Sequence, residues 1–262
     1  MRALVTRPSR EAQSWVQALK SAGHEPIAVP LIEIEAVADS QPLSLAWQHI
    51  HRYQAVMFVS ANAVDFFFAA KPQFAPAIFS DEGSSIRAWA TGPGTARALA
   101  ENGASAAWVD TPNADSLQFD SEALWAKVGR QIGAGSQVLI VRGIDSGQES
   151  SGSGRDWLAQ RIEAAGGLAE FVVAYRRQRP AFTPAQQALL RAASTDGTAW
   201  LFSSSQAVVN LVASFPGLSW SRARAVATHR RIAQSALSHG FGVVCESRPT
   251  VADVIASIES LA

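Results

Sequence analysis

Three short turns of this sequence carry small polar residues where backbone amides could bind an anion. Each follows an apolar run and precedes a helical pattern: Ser60-Ala61-Asn62, Ser203-Ser204-Ser205 and Thr91-Gly92-Pro93-Gly94-Thr95. Free N–H groups and the helix dipole favour a carboxylate or phosphate at such a position. Ordinary helix capping explains the first two turns equally well. The third is not a P-loop, because no Gly-Lys-Ser/Thr follows it.

Two arginines and one tyrosine extend this pattern. Arg7 and Arg142 each end an apolar run, where a guanidinium could pair with an anionic ligand or form a surface ion pair. Tyr175 precedes Arg176 and Arg177 and is one of two tyrosines in the chain. A phenol in this setting could donate a proton to a leaving group. A surface or hinge position is the alternative interpretation.

The sequence carries no motif for a metal site, a dinucleotide cofactor or a covalent nucleophile. His49 and His51 are two residues apart and have no acidic partner nearby for a metal. Cys245, the single cysteine, falls in a predicted buried strand. No dinucleotide fingerprint and no nucleophile elbow is present. We therefore expect no metal and no covalent nucleophile.

The composition argues against nucleic-acid and membrane partners. Basic and acidic residues number 22 each, so the net charge is zero and gives no bulk attraction to nucleic acid. No apolar stretch approaches the roughly 20 residues of a membrane span, and no secretory signal is visible. We expect a cytoplasmic protein, whose 262 residues suit two domains of ordinary size.

Segments of the chain recur, which indicates two similar domains. The matching pairs are residues 57–64 with 201–208, residues 90–97 with 227–234, and residues 4–7 with 139–142. A repeat this long exceeds the period of solenoid units, which is usually 20–50 residues. Two similar domains would form a cleft between them, and ligands prefer such clefts.

Alternating strand and helix patterns predict an α/β fold with doubly wound parallel sheets. Continuous apolar runs fit strands that are buried on both faces, and residues 106–109 are predicted to be one of them. Ligands of open parallel sheets bind at the carboxyl ends of the strands, where the polar turns fall. Alternating apolar and acidic residues over 32–37 predict a half-exposed strand. This segment and its counterpart, 171–177, are expected to connect the domains.

A series of short motifs carries a resemblance to a known family. They are Val5-Thr6-Arg7-Pro8, Phe58-Val59-Ser60-Ala61-Asn62-Ala63-Val64, Thr91-Gly92-Pro93-Gly94-Thr95-Ala96, Val141-Arg142-Gly143, Gly154-Arg155 with Leu158, Ala174-Tyr175-Arg176, Phe202-Ser203-Ser204 and Arg248-Pro249-Thr250. In their order and spacing the chain resembles the uroporphyrinogen-III synthase family over essentially its whole length.

The resemblance implies a domain organisation that the repeat alone would not give. Residues 1–36 join residues 176–262 in one discontinuous domain, and residues 37–175 form the other. A two-stranded ladder, over about 32–38 and 171–177, joins them beside the active-site cleft. The repeat alone would suggest a simple cut near residue 135.

The resemblance also implies an activity. The family converts hydroxymethylbilane, a linear tetrapyrrole with eight carboxylates, into uroporphyrinogen III for tetrapyrrole and heme biosynthesis. Water is lost, the macrocycle closes and ring D is inverted, without cofactor or metal, so catalysis rests mainly on positioning. The family's tyrosine maps onto Tyr175, which would protonate or hydrogen-bond the departing hydroxyl. A monomer is implied, with transient contact to hydroxymethylbilane synthase as a further option.

Backbone amides, with arginines as helpers, would hold the substrate carboxylates. The residues concerned are Arg7, Ser60-Ala61-Asn62, Thr91-Gly92-Pro93-Gly94-Thr95, Arg142 with Gly143, Ser203-Ser204-Ser205 and His229-Arg230-Arg231. At His229-Arg230-Arg231 the sequence departs from the family, many of whose members have a second Gly-Pro-Thr-Thr-like loop there. The two arginines could instead pair with carboxylates directly.

Two other function classes fit parts of the sequence. A non-catalytic sensor or binding protein for an anionic small molecule would use the same cleft, and Tyr175 would then be incidental. A nucleotide-sugar or cofactor-dependent α/β enzyme is disfavoured by the missing dinucleotide fingerprint. Turnover, as opposed to binding alone, distinguishes the synthase from the sensor.

Overall fold

The computed structural model describes residues 1–80, 85–112, 121–145 and 156–261, so Gly154 and Arg155 of the family motifs lie outside the described residues. The strands are β1 (Arg2–Val5), β2 (Glu25–Ala28), β3 (Glu33–Ala36), β4 (Ala55–Phe58), β5 (Arg87–Ala90), β6 (Val109–Asp110), β7 (Gln137–Asp145), β8 (Leu168–Gln178), β9 (Ala199–Phe202), β10 (Arg224–Ala227) and β11 (Val243–Glu246). The helices are α1 (Ser9–Ser21), α2 (Gln41–Gln48), α3 (Ala61–Ala69), α4 (Pro93–Glu101), α5 (Ser121–Val128), α6 (Asp156–Ala164), α7 (Pro184–Ala192), α8 (Ser205–Ser214), α9 (Arg230–Ser238) and α10 (Val251–Ser260). The predicted α/β class is confirmed.

The chain divides into two compact units. The first unit combines Met1–Glu33 with Gln178–Ala262, and the second is Ile34–Arg177. The chain enters the second unit within β3 and leaves it near the end of β8. The family resemblance implied boundaries after residue 36 and before residue 176.

The first unit is built on a parallel sheet with the strand order β11-β10-β9-β1-β2. The central strands β1, β9 and β10 are largely buried, as the sequence predicted, but the edge strands β2 and β11 are partly exposed. The prediction that Cys245 lies in a buried strand is therefore wrong, because β11 has a neighbour on one side only. Leu201 of β9 packs in one core with Trp15 and Ile258 from the helices. The neighbouring residues Trp200 and Phe202 belong to an aromatic cluster on the other side of the strand.

The second unit has the strand order β3-β8-β7-β4-β5-β6. The pairings of β4, β5, β6, β7 and β8 with one another are parallel. Alternate residues of β4 again enter separate cores. Met57 packs with Trp89 and Leu158, whereas Phe58 packs with Phe67 and Phe79. Helices therefore cover both faces of the sheet.

The two sheets share one order when the repeated segments are matched. The sequence repeats pair β7 with β1, β4 with β9 and β5 with β10. The order β8-β7-β4-β5 in the second unit then corresponds to β2-β1-β9-β10 in the first. The first unit begins with β1, whereas the parallel strands of the second unit begin with β4, the counterpart of β9. The repeated polar turns consequently occupy equivalent positions in the two sheets.

One predicted strand is wrong in most of its length. Residues 106–109 were expected to be a strand, but Ala106–Trp108 form a 3₁₀ turn and β6 begins only at Val109. Alanine has a low preference for strands. The segment also lies at the sheet edge, where β5 is its neighbour on one side. An apolar run alone did not suffice to extend the strand.

Candidate functional site

The predicted anion-binding turns lie at the carboxyl ends of neighbouring parallel strands. In the second unit Thr91 and Ser60 follow β5 and β4 at one edge of the sheet, and Arg142 lies in β7 just beyond the residues that pair with β4. In the first unit β1, β9 and β10 are aligned, and Arg7 and Ser203 follow β1 and β9. This edge is where open parallel sheets bind ligands, close to the point where the strand order reverses.

Tyr175 is buried at the carboxyl edge of the second sheet. It lies in β8 and is 3% exposed, so the surface position considered from the sequence is wrong. Its hydroxyl is 3.1 Å from the Ser60 hydroxyl, at the start of α3. Its ring stacks on Phe66 with the ring centres 5.9 Å apart. The fold thus brings together a phenol and a helix N-terminus that are distant in sequence.

A β-bulge and a glycine determine where the Tyr175 ring lies. The register of β7 and β8 shifts between Arg142 and Gly143, so that Gly143 lies beside Tyr175. A Cβ atom added to Gly143 would be 2.3 Å from Cζ of the tyrosine ring, closer than any side chain tolerates. Bulges often redirect a side chain next to a functional site. Gly143 therefore contacts the tyrosine ring, in addition to any contact with substrate.

Ser60 caps helix α3, as one interpretation of the sequence predicted. Its backbone is extended, and its Oγ accepts a hydrogen bond from Ala63 N–H at 3.2 Å. The N–H groups of Ala61 and Asn62 belong to the first helical turn, where helix geometry offers no partner within the helix. Capping and anion binding are consequently compatible at this turn.

The glycine-rich turn offers fewer amides than its sequence suggested. Gly92 precedes α4, and Pro93 occupies the first helical position, where it has no N–H. Thr95 is buried, and its N–H donates to the Gly92 carbonyl at 3.1 Å. Gly94 has open space around its Cα. The Thr91 hydroxyl donates to the Val59 carbonyl at 3.3 Å, so Gly94 is the part of this turn best placed to meet an anion.

The two predicted arginines are held against aromatic rings. Arg142 is 7% exposed, and its guanidinium lies 4.4 Å from the centre of the Phe171 ring. Arg7 lies 4.5 Å from the centre of the Trp15 ring and forms an ion pair with Glu11 at 3.1 Å. The ion-pair interpretation of Arg7 is therefore confirmed. Ligand binding by either arginine stays a prediction.

The first unit carries the equivalent helix starts. Helix α8 begins at Ser205, and Oγ of Ser204 accepts from Gln206 N–H at 3.2 Å. Helix α9 begins at Arg230, and Nδ1 of the preceding His229 accepts from Arg231 N–H at 3.1 Å. A histidine nitrogen can accept this bond only while it carries no proton. The departure from the family's threonine loop thus still provides a helix cap.

A groove lined mainly by polar residues joins two of the predicted anion sites within the first unit. It has a volume of about 640 Å³ and lies between the start of α8 and one side of α9. Of the two adjacent arginines in α9, Arg231 lines it. The lining residues are Ser203, Ser204, Ser205, Gln206, Arg231, Ile232, Gln234, Ser235 and Ser238.

The sequence analysis missed several residues that line the groove or support Tyr175. Gln234, Ser235 and Ser238 follow the predicted Arg231 at helical spacing, so they lie with it on one face of α9. That pattern could have been found in the sequence. Phe66, which supports Tyr175, had no such signal, because its contact depends on the packing of α3 against β8.

The second tyrosine of the chain occupies a different environment. Tyr53 lies just before β4, at the amino end of the sheet, and donates to Glu170 at 2.7 Å. Arg52 also contacts this carboxylate. Burial raises the pKa of Tyr53, opposed in part by its hydrogen bond with Arg52. Only Tyr175 lies among the polar turns.

Neither a metal cluster nor a membrane span is found in the described residues. Within 1–80, 85–112, 121–145 and 156–261, no three His, Cys, Asp or Glu side chains are grouped closely enough to hold a metal ion. In the same ranges, every helix is too short or too polar to cross a bilayer.

Comparisons with known sequences point to one family. A family model described as uroporphyrinogen-III synthase HemD matches residues 13–256. A porphyrin biosynthesis protein HemD from Ruminiclostridium josui is 28% identical over 143 residues, which are 52% of this chain and 26% of that protein. A uroporphyrinogen-III synthase from Synechococcus elongatus is 27% identical over 221 residues, which are 83% of this chain and 77% of that protein. The match thus spans about a quarter of the first relative and about three quarters of the second.

The fold is also that of a solved structure with a related name. The chain resembles the uroporphyrinogen-III synthetase of Helicobacter pylori with a TM-score of 0.60 and 16% sequence identity, over 100% of both chains. At this identity the likeness establishes the fold.

Proposed function

Because the chain belongs to the uroporphyrinogen-III synthase family, we propose that it converts hydroxymethylbilane into uroporphyrinogen III. The reaction would lose water, close the macrocycle and invert ring D, as a step of tetrapyrrole biosynthesis. It would need no cofactor, since loss of hydroxide leaves an electrophilic azafulvene that an electron-rich pyrrole ring of the same substrate can attack. The protein's main task is then to fold the substrate so that ring closure follows the inverting route.

The observation that carries this proposal is the Tyr175 hydroxyl, held 3.1 Å from Ser60 at the start of α3. In the proposed step the bond between the hydroxymethyl carbon and its oxygen breaks, and the electron pair leaves with the oxygen. The Tyr175 proton converts this leaving group into water. Ring closure later releases one proton from a pyrrole carbon, so the phenol is restored and the net loss is one water.

The polar turns supply the second requirement, which is to hold an octa-anionic substrate. Backbone N–H groups at the starts of α3, α4, α8 and α9 can each receive a carboxylate. The groove lined by Arg231 adds a guanidinium. These groups are distributed over four helix starts, which suits a substrate whose carboxylates are spread over four rings.

The decisive test is an isomer assay. Hydroxymethylbilane is generated in place, the protein is added, and the oxidised products are separated chromatographically into isomers I and III. Uncatalysed closure gives isomer I, so an excess of isomer III supports the synthase. Isomer I alone, from folded protein, would contradict it and would favour the sensor for an anionic small molecule.

Charge reversal at Arg231 should weaken substrate binding more than truncation does. We expect KM to rise about threefold in Arg231→Ala, as for other exposed ion pairs, and about tenfold in Arg231→Glu, because the new carboxylate repels the substrate. The measurement is KM at low ionic strength. Arg222→Glu, an exposed arginine before β10, makes the same charge change away from the groove and is the control. Equal effects of Arg231→Ala and Arg231→Glu would indicate a structural role.

A further inference from the structure

The Ser60 hydroxyl has two partners, the amide of Ala63 and the hydroxyl of Tyr175, and either hydroxyl can be the donor in the second contact. Ser60 Oγ accepts from Ala63 N–H at 3.2 Å and is 3.1 Å from the Tyr175 hydroxyl. A serine hydroxyl has a single proton to donate. Because the helix amide already donates to Ser60, the Ser60 O–H bond is polarised and becomes a better donor. The remaining partner in this pair of contacts is the oxygen of Tyr175.

The surroundings hold Tyr175 in this contact. Its ring is stacked on Phe66 and lies against the bare Cα of Gly143. At 3% exposure the side chain has little freedom to turn away. The hydrogen bond between the two hydroxyls is therefore a fixed part of the site.

We propose that Ser60 is a positioning residue that acts through Tyr175, an inference that rests on the proposed function. The Ala63 N–H donates to Ser60 Oγ, and the Ser60 hydroxyl in turn donates to the phenol oxygen of Tyr175. The Tyr175 proton therefore points away from Ser60 towards the substrate. When that proton passes to the departing hydroxyl, the phenolate keeps the Ser60 hydrogen bond. The N-terminal end of the α3 dipole, reached through the same serine, stabilises the transient negative charge.

The inference is tested with Ser60→Gly in the full-length protein. Glycine is a competent N-cap residue, so the helix start is nearly preserved while the hydroxyl is lost. We expect kcat for isomer III to fall about 10- to 100-fold, as for loss of a hydrogen bond to a charged group, with KM changed less than about twofold. Ser60→Thr keeps an oxygen in place and should stay within about threefold of wild type.

A double-mutant cycle separates positioning from simple support of the helix. In a Tyr175→Phe background, Ser60→Gly should slow turnover by less than about twofold, because the group through which Ser60 acts is absent. Thr183→Ala is the matched control. It removes the hydroxyl that caps α7, including its bond with Gln186 N–H at 3.3 Å, and should lower the unfolding temperature without changing kcat.

The possible outcomes distinguish this inference from the function on which it rests. If Ser60→Gly retains full kcat while Tyr175→Phe is slow, the serine has no positioning role and the synthase proposal stands. If Ser60→Gly slows the wild type and the Tyr175→Phe protein by the same factor, Ser60 acts by another route. If wild-type protein makes no isomer III, the function itself fails. Low activity in Ser60→Thr, with a normal unfolding temperature, would also contradict the inference.

Discussion

Replacing Tyr175 with phenylalanine is expected to slow isomer III formation by roughly 10²- to 10⁴-fold, the usual contribution of a single general acid. Phenylalanine keeps the ring that stacks on Phe66 and lies against Gly143, so the fold should be retained. The loss should appear mainly in kcat, because the proton is needed when the carbon–oxygen bond breaks rather than when substrate binds. The measurement is initial rate at saturating hydroxymethylbilane.

The other tyrosine provides the control for this variant. Tyr53→Phe also removes a phenol that is hydrogen-bonded to a neighbouring side chain, Glu170. Tyr53 lies at the amino end of the sheet, so kcat should be unchanged even if the free energy of unfolding falls by about 1 kcal/mol. Full activity in Tyr175→Phe would end the assignment of the proton to Tyr175.

Adding one methyl group at Gly143 is expected to be as damaging as removing the phenol. In Gly143→Ala the new Cβ would be 2.3 Å from the tyrosine ring, so either the ring moves or β7 and β8 separate. Overpacking of this kind costs about 1–3 kcal/mol of stability. Because Tyr175 can no longer meet Ser60, we also expect turnover to fall by roughly 10²- to 10⁴-fold. Thermal unfolding and the isomer assay measure the two effects.

Two further variants show whether the clash itself is responsible. Gly133→Ala places a methyl group where no atom lies within 4 Å and should change neither stability nor turnover appreciably. Combining Gly143→Ala with Tyr175→Ala should cost less stability than the sum of the single changes, since the ring that clashes is gone. Additive losses, or an active Gly143→Ala protein, would show that the strands accommodate the methyl group without moving Tyr175.

Local patterns were sufficient to predict the fold class and the position of the polar turns. The apolar runs became parallel strands, and Ser60 and Ser204 became helix caps, because these outcomes depend on periodicity and on nearby residues. The strand predicted over 106–109 failed where alanine-rich sequence met a sheet edge. An apolar run therefore did not predict a strand correctly where its residues have a low preference for strands.

The contacts of Tyr175 could not be predicted from local sequence patterns. Its hydroxyl meets Ser60, a residue 115 positions away. The contact depends on the bulge between Arg142 and Gly143, and a one-residue shift of register has no signature in composition or spacing. The sequence could mark each residue as a candidate, but only the packed sheet brings them together.

The interrupted path of the chain through the first unit has a consequence for how the protein is made. Thr6 donates to the carbonyl of Leu201, which is 195 residues further along, so β1 cannot pair with β9 until most of the chain has been synthesised. At ordinary rates of translation that interval is about 10–40 s. The second unit, a continuous segment, can fold during this wait. We therefore expect β1 and β2 to remain on the ribosome without the rest of their sheet after the second unit, which lies between β2 and β9 in the chain, has folded.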